Sequence, residues 1–196
     1  MAALARATTR IRAATVRERW PKPSRIAVLA FVFLLLYSNT ARAQEKSEYD
    51  VKAAFLMNFT KFVEWPASAF RDEASPLTIC VLGDDPFGAA LDRAVTGETA
   101  GGRRLAVLRI RRSPAPQTCQ VLFVSSSEKN PAEVLEGLEP GVLTVGDHEG
   151  FLKQGGIIAF VLQARHVRFD INRQAAARAA LNISSRLLSV ARKVQP

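Results

Sequence analysis

The chain is poor in the residues that carry most enzyme and metal chemistry. Its 196 residues include two cysteines and two histidines. His148 and His166 stand alone in the sequence, and no spacing joins them to the cysteines as a ligand set. The glycines of Gly83-Asp84-Asp85-Pro86-Phe87-Gly88 have the wrong spacing for a dinucleotide loop, and no Lys-Ser/Thr pair follows them, so neither phosphate-cradling motif is present. No internal repeat or low-complexity linker divides the chain. No cofactor is implied.

Basic charge is also scarce where a folded domain would use it. The formal charge is +9, but residues 1–43 hold eight Lys/Arg and one Glu, which leaves nineteen basic and seventeen acidic residues over 44–196. Arg103, Arg104, Arg109, Arg111 and Arg112 cluster without interleaved aromatics. That footprint does not suit nucleic acid.

The longest greasy run, Ile26 to Tyr37, has twelve residues without a charge. As a helix it rises about 18 Å against a hydrocarbon core of about 30 Å. A basic stretch precedes it and Ala41-Arg42-Ala43 follows, the arrangement of an export signal cut after Ala43. Residues 1–43 are therefore expected to be a signal peptide and 44–196 a single exported domain, with retention as a membrane anchor facing the periplasm the alternative. An even number of cysteines in an exported chain favours a bridge, here Cys80–Cys119, and two buried thiols are the rival. Closing about forty residues is worth roughly 4 kcal/mol in the chain-entropy picture.

The pattern along the domain alternates helix and strand. Glu48 to Val63 is expected to be helical, with Val51, Phe55, Phe59 and Phe62 as its apolar stripe and Asn58 and Lys61 off it. Trp65-Pro66 ends that helix. Strands are expected at 77–82, 104–110, 120–124 and 142–145, with helices near 87–95 and 131–138. Asp85 suits the N-cap and Pro86 the first turn of the former. Gly97 and Gly101-Gly102 bound a mobile connection. Ile157–Leu162 and His166–Phe169 read as an antiparallel hairpin. From Asn172 the chain reads as helical nearly to its end, with Ala176, Ala180, Ile183, Leu187 and Val190 as the seam. The expected fold is α/β, a single three-layer domain whose mixed, mostly parallel sheet is flanked by helices.

Loops 83–87, 125–130 and 146–149 follow strands, and in such a sheet they converge at the carboxyl edge, where ligands bind. Asp84, Asp85, Ser126 and Asp147 are the candidate ligand-binding residues; simple capping by Asp85, Ser127 or Asn130 explains the same residues. No identifiable His/Asp relay serves Ser125-Ser126-Ser127, so the chain does not read as an enzyme. Phe62, Trp65, Leu181 and Leu188 are candidates for a partner or dimer surface, and equally for the core.

Several segments together resemble the YfiR family of exported regulatory proteins. They are Lys52-Ala53-Ala54-Phe55-Leu56-Met57-Asn58-Phe59-Thr60-Lys61-Phe62-Val63-Glu64-Trp65-Pro66, Ile79-Cys80-Val81-Leu82-Gly83-Asp84-Asp85-Pro86-Phe87-Gly88, Leu143-Thr144-Val145-Gly146-Asp147, Gly155-Gly156-Ile157-Ile158 and Val167-Arg168-Phe169-Asp170-Ile171-Asn172, with Leu187-Leu188 last. They run in the family's order over about 49–192. The resemblance implies a periplasmic, non-enzymatic protein that binds the periplasmic sensor region of an inner-membrane diguanylate cyclase, or another membrane sensor protein. By repressing the cyclase it would lower cyclic-di-GMP and biofilm formation. It further implies redox sensitivity and a homodimer. Cys80 and Cys119 match one family disulfide, while a second pair found in some relatives, near 146–160, is absent here. A small-ligand-binding sensor module acting on another membrane partner is the alternative function, its ligand unknown.

Overall fold

The computed structural model describes residues 48–111 and 118–196. The expected signal peptide, and Arg112 of the arginine cluster, lie outside the described residues. Helix α1 is described over 48–62. It is followed by β1 (Val63–Glu64), a short 3-10 turn at Ala67–Ala69, β2 (Leu77–Leu82), α2 (Ala89–Val95), β3 (Thr99–Ala100), β4 (Arg103–Ile110) and β5 (Val121–Val124). Then come α3 (Pro131–Glu136), β6 (Leu143–Gly146), β7 (Ile158–Gln163), β8 (His166–Asn172), α4 (Arg173–Arg178), β9 (Asn182–Ile183), α5 (Ser185–Val190) and β10 (Lys193–Gln195). Among the described residues no helix is long and apolar enough to cross a membrane.

Eight strands form one sheet in the order β10-β8-β7-β6-β5-β2-β4-β3, and β1 and β9 pair separately. β4, β2, β5, β6 and β7 run parallel to one another, and β10 runs parallel to β8. The hairpins β7–β8 and β3–β4 are antiparallel, so the sheet is mixed. Every residue of β2, β5 and β6 is buried, which is why these strands read as mostly apolar runs, broken only by the threonines at 78 and 144. Alternate side chains feed two cores. Ile79, Val81, Phe123 and Val145 meet Leu56 and Phe59 of α1 and Leu91 of α2 on one face. Cys80, Leu82, Leu122 and Val124 meet Val134 of α3 and Phe151 on the other.

Cys80 and Cys119 are bridged, with 5.7 Å between their Cα atoms, because Cys119 sits just before β5 and β5 pairs with β2. The bridge lies in the second core, where it ties the chain entering β5 down onto the middle of β2.

Four expectations need correction. In α1 the face turned inward carries Lys52, Ala53, Leu56, Phe59 and Thr60, while Val51 is 43% exposed. Phe55 lies on the flank, against Phe160 and Phe169. The aromatic spacing pointed to one side of the stripe, and the smaller Ala53 and Leu56 mark its centre. Asp85 is not the N-cap of α2: its Oδ1 accepts from the N–H groups of Phe87 (2.8 Å) and Gly88 (3.3 Å), capping a separate turn. Gly88, at φ +50°, divides that turn from α2. Gly101 and Gly102 form the tight turn of the β3–β4 hairpin instead of a mobile connection.

The last correction is the largest. The chain beyond Asn172 is two short helices separated by β9 and followed by β10. Asn172 caps α4, accepting from Ala175 N–H. α4 stops because Ala180 takes φ +55°, with Leu181 N–H donating to Ala176 O and Ala180 N–H to Ala177 O. That is a Schellman stop, a position normally filled by glycine. Ala180 hides the stop inside what reads as an alanine seam. Ile183 is in β9, and Val190 is 58% exposed. Arg192 then pairs in bidentate fashion with Asp170 of β8 and sets β10 beside it.

Candidate functional site

Parallel register places the ends of β2, β5 and β6 side by side: Leu82 faces Val124, and Val124 faces Gly146. The three loops that follow therefore share the carboxyl edge of the sheet. Gly83, at φ +90°, leaves no room for a side chain, since a Cβ there would lie 2.6 Å from Ser127 Oγ. This close approach lets Asp84 N–H donate to Ser127 Oγ (2.8 Å), while Ser127 Oγ also bonds Ser125 Oγ (3.2 Å). The Asp84 side chain and Ser126 are exposed.

Asp85 is engaged in internal contacts. Its Oδ2 accepts from Arg109 Nε at 2.6 Å, and Arg109 also reaches Asp92 Oδ2 (2.6 Å) and Gly88 O (2.9 Å). The guanidinium holds the Asp92 carboxyl below the usual carboxylate range, through its hydrogen bonds first. The two acids hold Arg109 more firmly protonated than usual. The group is half-exposed, with Arg109 at 39% and Asp92 at 50%. It fastens α2 to the outer strand β4 and contributes about 1 kcal/mol or less per pair after solvent screening.

Asp147, directly after β6, turns inward. Its Oδ2 accepts from Tyr49 OH (2.8 Å) and Lys52 Nζ (2.7 Å). Lys52 also pairs with Glu48, one turn earlier on α1, at 2.7 Å. Its ammonium lies 4.2 Å from the centroid of the Tyr49 ring. Side-chain exposure is 6% for Lys52 and 5% for Asp147, so this is a buried ion pair. Asp147 Oδ1 is buried and has no hydrogen-bond partner among the described residues. The pair pins the start of α1 to the end of β6. Nothing in the sequence analysis singled out Lys52, Tyr49 or Glu48; the i, i+4 spacing of Glu48 and Lys52 was the one signal that could have done so.

The four candidate residues thus separate. Asp84 and Ser126 face solvent, Asp85 belongs to the Arg109 cluster, and Asp147 belongs to α1. Among the described residues Asp147 bonds to Tyr49 and Lys52, whereas Asp85 bonds to Arg109. The histidines do not serve the serines: His148 Nε2 meets Gln154 Oε1 (3.0 Å), and His166 Nδ1 meets Ala164 O (2.9 Å). Among the described residues no group of three His, Cys, Asp or Glu side chains is placed to hold a metal ion.

The candidate partner residues lie against the main core. Leu181 is 6% exposed and presents no side chain to a partner while the fold is intact. Phe62, Trp65 and Leu188 are half-buried against the same cluster. Trp65 Nε1–H donates to Gln120 O at 3.1 Å. Gln120 in turn accepts from Thr78 N–H and donates to Ala69 O. These bonds build the amino edge of the sheet, where an open cavity of about 1060 Å³ lies between Phe70, Asp72, Thr78, Thr118, Leu138 and Glu139. Its walls come from three separate loops, so no single stretch of sequence marks it.

A family described as YfiR/HmsC-like matches residues 49–192. No curated protein matches the sequence. A conserved domain protein from Vibrio cholerae O1 biovar El Tor, known from a crystal structure, is 11% identical, with a TM-score of 0.39 over 60% of this chain and 54% of that one. The chain thus spans about half the length of that protein.

Proposed function

This chain belongs to the YfiR/HmsC-like family, and from that premise we propose that it represses an inner-membrane diguanylate cyclase by binding the cyclase's periplasmic sensor region. Proteins of this family are periplasmic and non-enzymatic regulators. The observation that carries the reading is the family match over 49–192, which takes in almost the whole described domain. The Cys80–Cys119 bridge supports it, since such bonds persist in oxidising compartments.

Repression of this kind is a population shift. The regulator binds the inactive receptor state more tightly than the active one and draws the receptor into it. A tenfold preference corresponds to about 1.4 kcal/mol. Capture of the tagged protein with solubilised membranes, followed by identification of the bound receptor, tests the assignment. A cyclase in the captured fraction, with cyclic-di-GMP rising when the gene is deleted, is the expected result. A captured fraction without a cyclase and unchanged cyclic-di-GMP would rule it out.

One observation favours a second reading, a small-ligand sensor acting on another membrane partner. The cavity at the amino edge has the size of a small-molecule site. Calorimetric titration with small metabolites tests it: saturable heat lost on Thr118→Trp supports the reading, and heat lost on Asp84→Ala instead moves the site to the carboxyl edge.

A further inference from the structure

Among the described residues, the outer side of β4 beyond Leu105 is an open strand edge. β3 pairs with only Arg103 and Arg104 of its eight residues. Ile110 directs its carbonyl toward β2, to Gly83 N–H (2.9 Å), whereas Leu105 N–H turns the other way, to Glu98 O (3.1 Å). Main-chain groups alternate along a strand, so Val107 and Arg109 direct their N–H and C=O groups outward. Beyond Leu105 no strand among the described residues pairs with that side.

Sheets usually defend such an edge with charge, proline or a covering element. Here the middle of the edge is Ala106-Val107-Leu108, and Leu108 is 37% exposed on the face it shares with Cys80. Charge stands at the two ends instead. Arg104 and Arg111 are exposed, and neither has an ion-pair partner among the described residues. The nearby acids, Asp85 and Asp92, are already bound to Arg109. The two arginines are seven positions apart, about 23 Å of extended chain.

We infer that β4 accepts a short extended acidic segment of a partner protein as a further strand beside Ala106–Ile110, with carboxylates on the segment's end residues reaching toward Arg104, beyond one end of the open stretch, and Arg111, beyond the other, and an apolar residue at its centre meeting Leu108. Main-chain bonds to Val107 and Arg109 would supply affinity, and the flanking charges would select the segment. A second copy of this chain is a poorer occupant, because antiparallel pairing of two β4 edges brings arginine against arginine. The assignment does not require the partner to be a cyclase.

The test uses the full exported protein and a six-residue peptide of alternating Val and Thr with Glu at both ends, against the same peptide with Lys at both ends. The acidic peptide should bind at least tenfold more tightly, and its affinity should fall with added salt. Val107→Pro removes an outward donor without touching the bonds to β2, and should weaken binding at least tenfold. Arg104→Glu with Arg111→Glu should reverse the preference between the two peptides. In the unaltered protein, hydrogen exchange at the Val107 and Arg109 amides should slow on saturation, a reading that holds even where Val107→Pro fails to fold. Equal binding of both peptides, no binding, unchanged exchange at those amides, or a β4-mediated dimer that excludes the acidic peptide would each overturn the proposal.

Discussion

Lys52 Nζ lies 2.7 Å from Asp147 Oδ2, with both side chains almost wholly withdrawn from water. The two residues are 95 positions apart, and the contact joins the first turns of α1 to the loop after β6. A buried pair is costly to break from one side, because the surviving charge is left without a partner.

Lys52→Met is therefore expected to cost about 3–5 kcal/mol in urea unfolding, since it strands the Asp147 carboxylate. The double variant Lys52→Met with Asp147→Asn should recover part of that loss. A double loss equal to the sum of the single losses would show that the pair is not coupled.

The bridge gives a second expectation. Cys80→Ser should lower the unfolding free energy under oxidising conditions by up to about 4 kcal/mol, with a matching drop in the midpoint, and reductant should bring the parent protein down toward the variant. An equal difference with and without reductant would assign the loss to packing around the buried Cys80.

Ala180 offers a gain. Its φ of +55° is disfavoured for a residue with a Cβ and is free for glycine. Ala180→Gly should stabilise the fold by about 1 kcal/mol, read as a rise of about 2–4 °C in Tm. Ala180→Val should do the opposite.

The Arg109 cluster predicts an acid-side dependence. Asp92 is held below its ordinary carboxylate value by Arg109, so the folded state favours its ionised form. A depressed carboxyl contributes stability above its unfolded value, near pH 4, and that stability is lost as pH falls through the folded value. Thermal midpoints measured from pH 7 to pH 2.5 should fall less steeply below about pH 4 in Arg109→Gln than in the parent. Because the pair is half-exposed, the difference should be about 1 kcal/mol or less and should shrink in salt.

Much of the fold is legible in the residues. β2, β5 and β6 appear as mostly apolar runs because both of their faces are covered, and the β7–β8 hairpin is visible because its strands lie two residues apart. The end of the chain was not legible. A glycine at position 180 would have announced the stop after α4, but alanine is among the strongest helix formers and conceals it. The site was legible only as a place. The loops after β2, β5 and β6 do share one edge, yet Asp85 and Asp147 look alike in sequence and serve different neighbours.

Order along the chain, with the lengths and apolar character of its segments, was enough to specify a parallel-dominated α/β domain with one cysteine in a strand and the other just before its neighbour. Those properties act locally, through main-chain preference and the need to cover apolar faces. Which charges are buried, which carboxylates remain free and which strand edge stays open were settled only by packing. Each depends on residues brought together from distant parts of the chain: Lys52 with Asp147, Arg109 with Asp85 and Asp92, and the short β3 that leaves most of β4 uncovered.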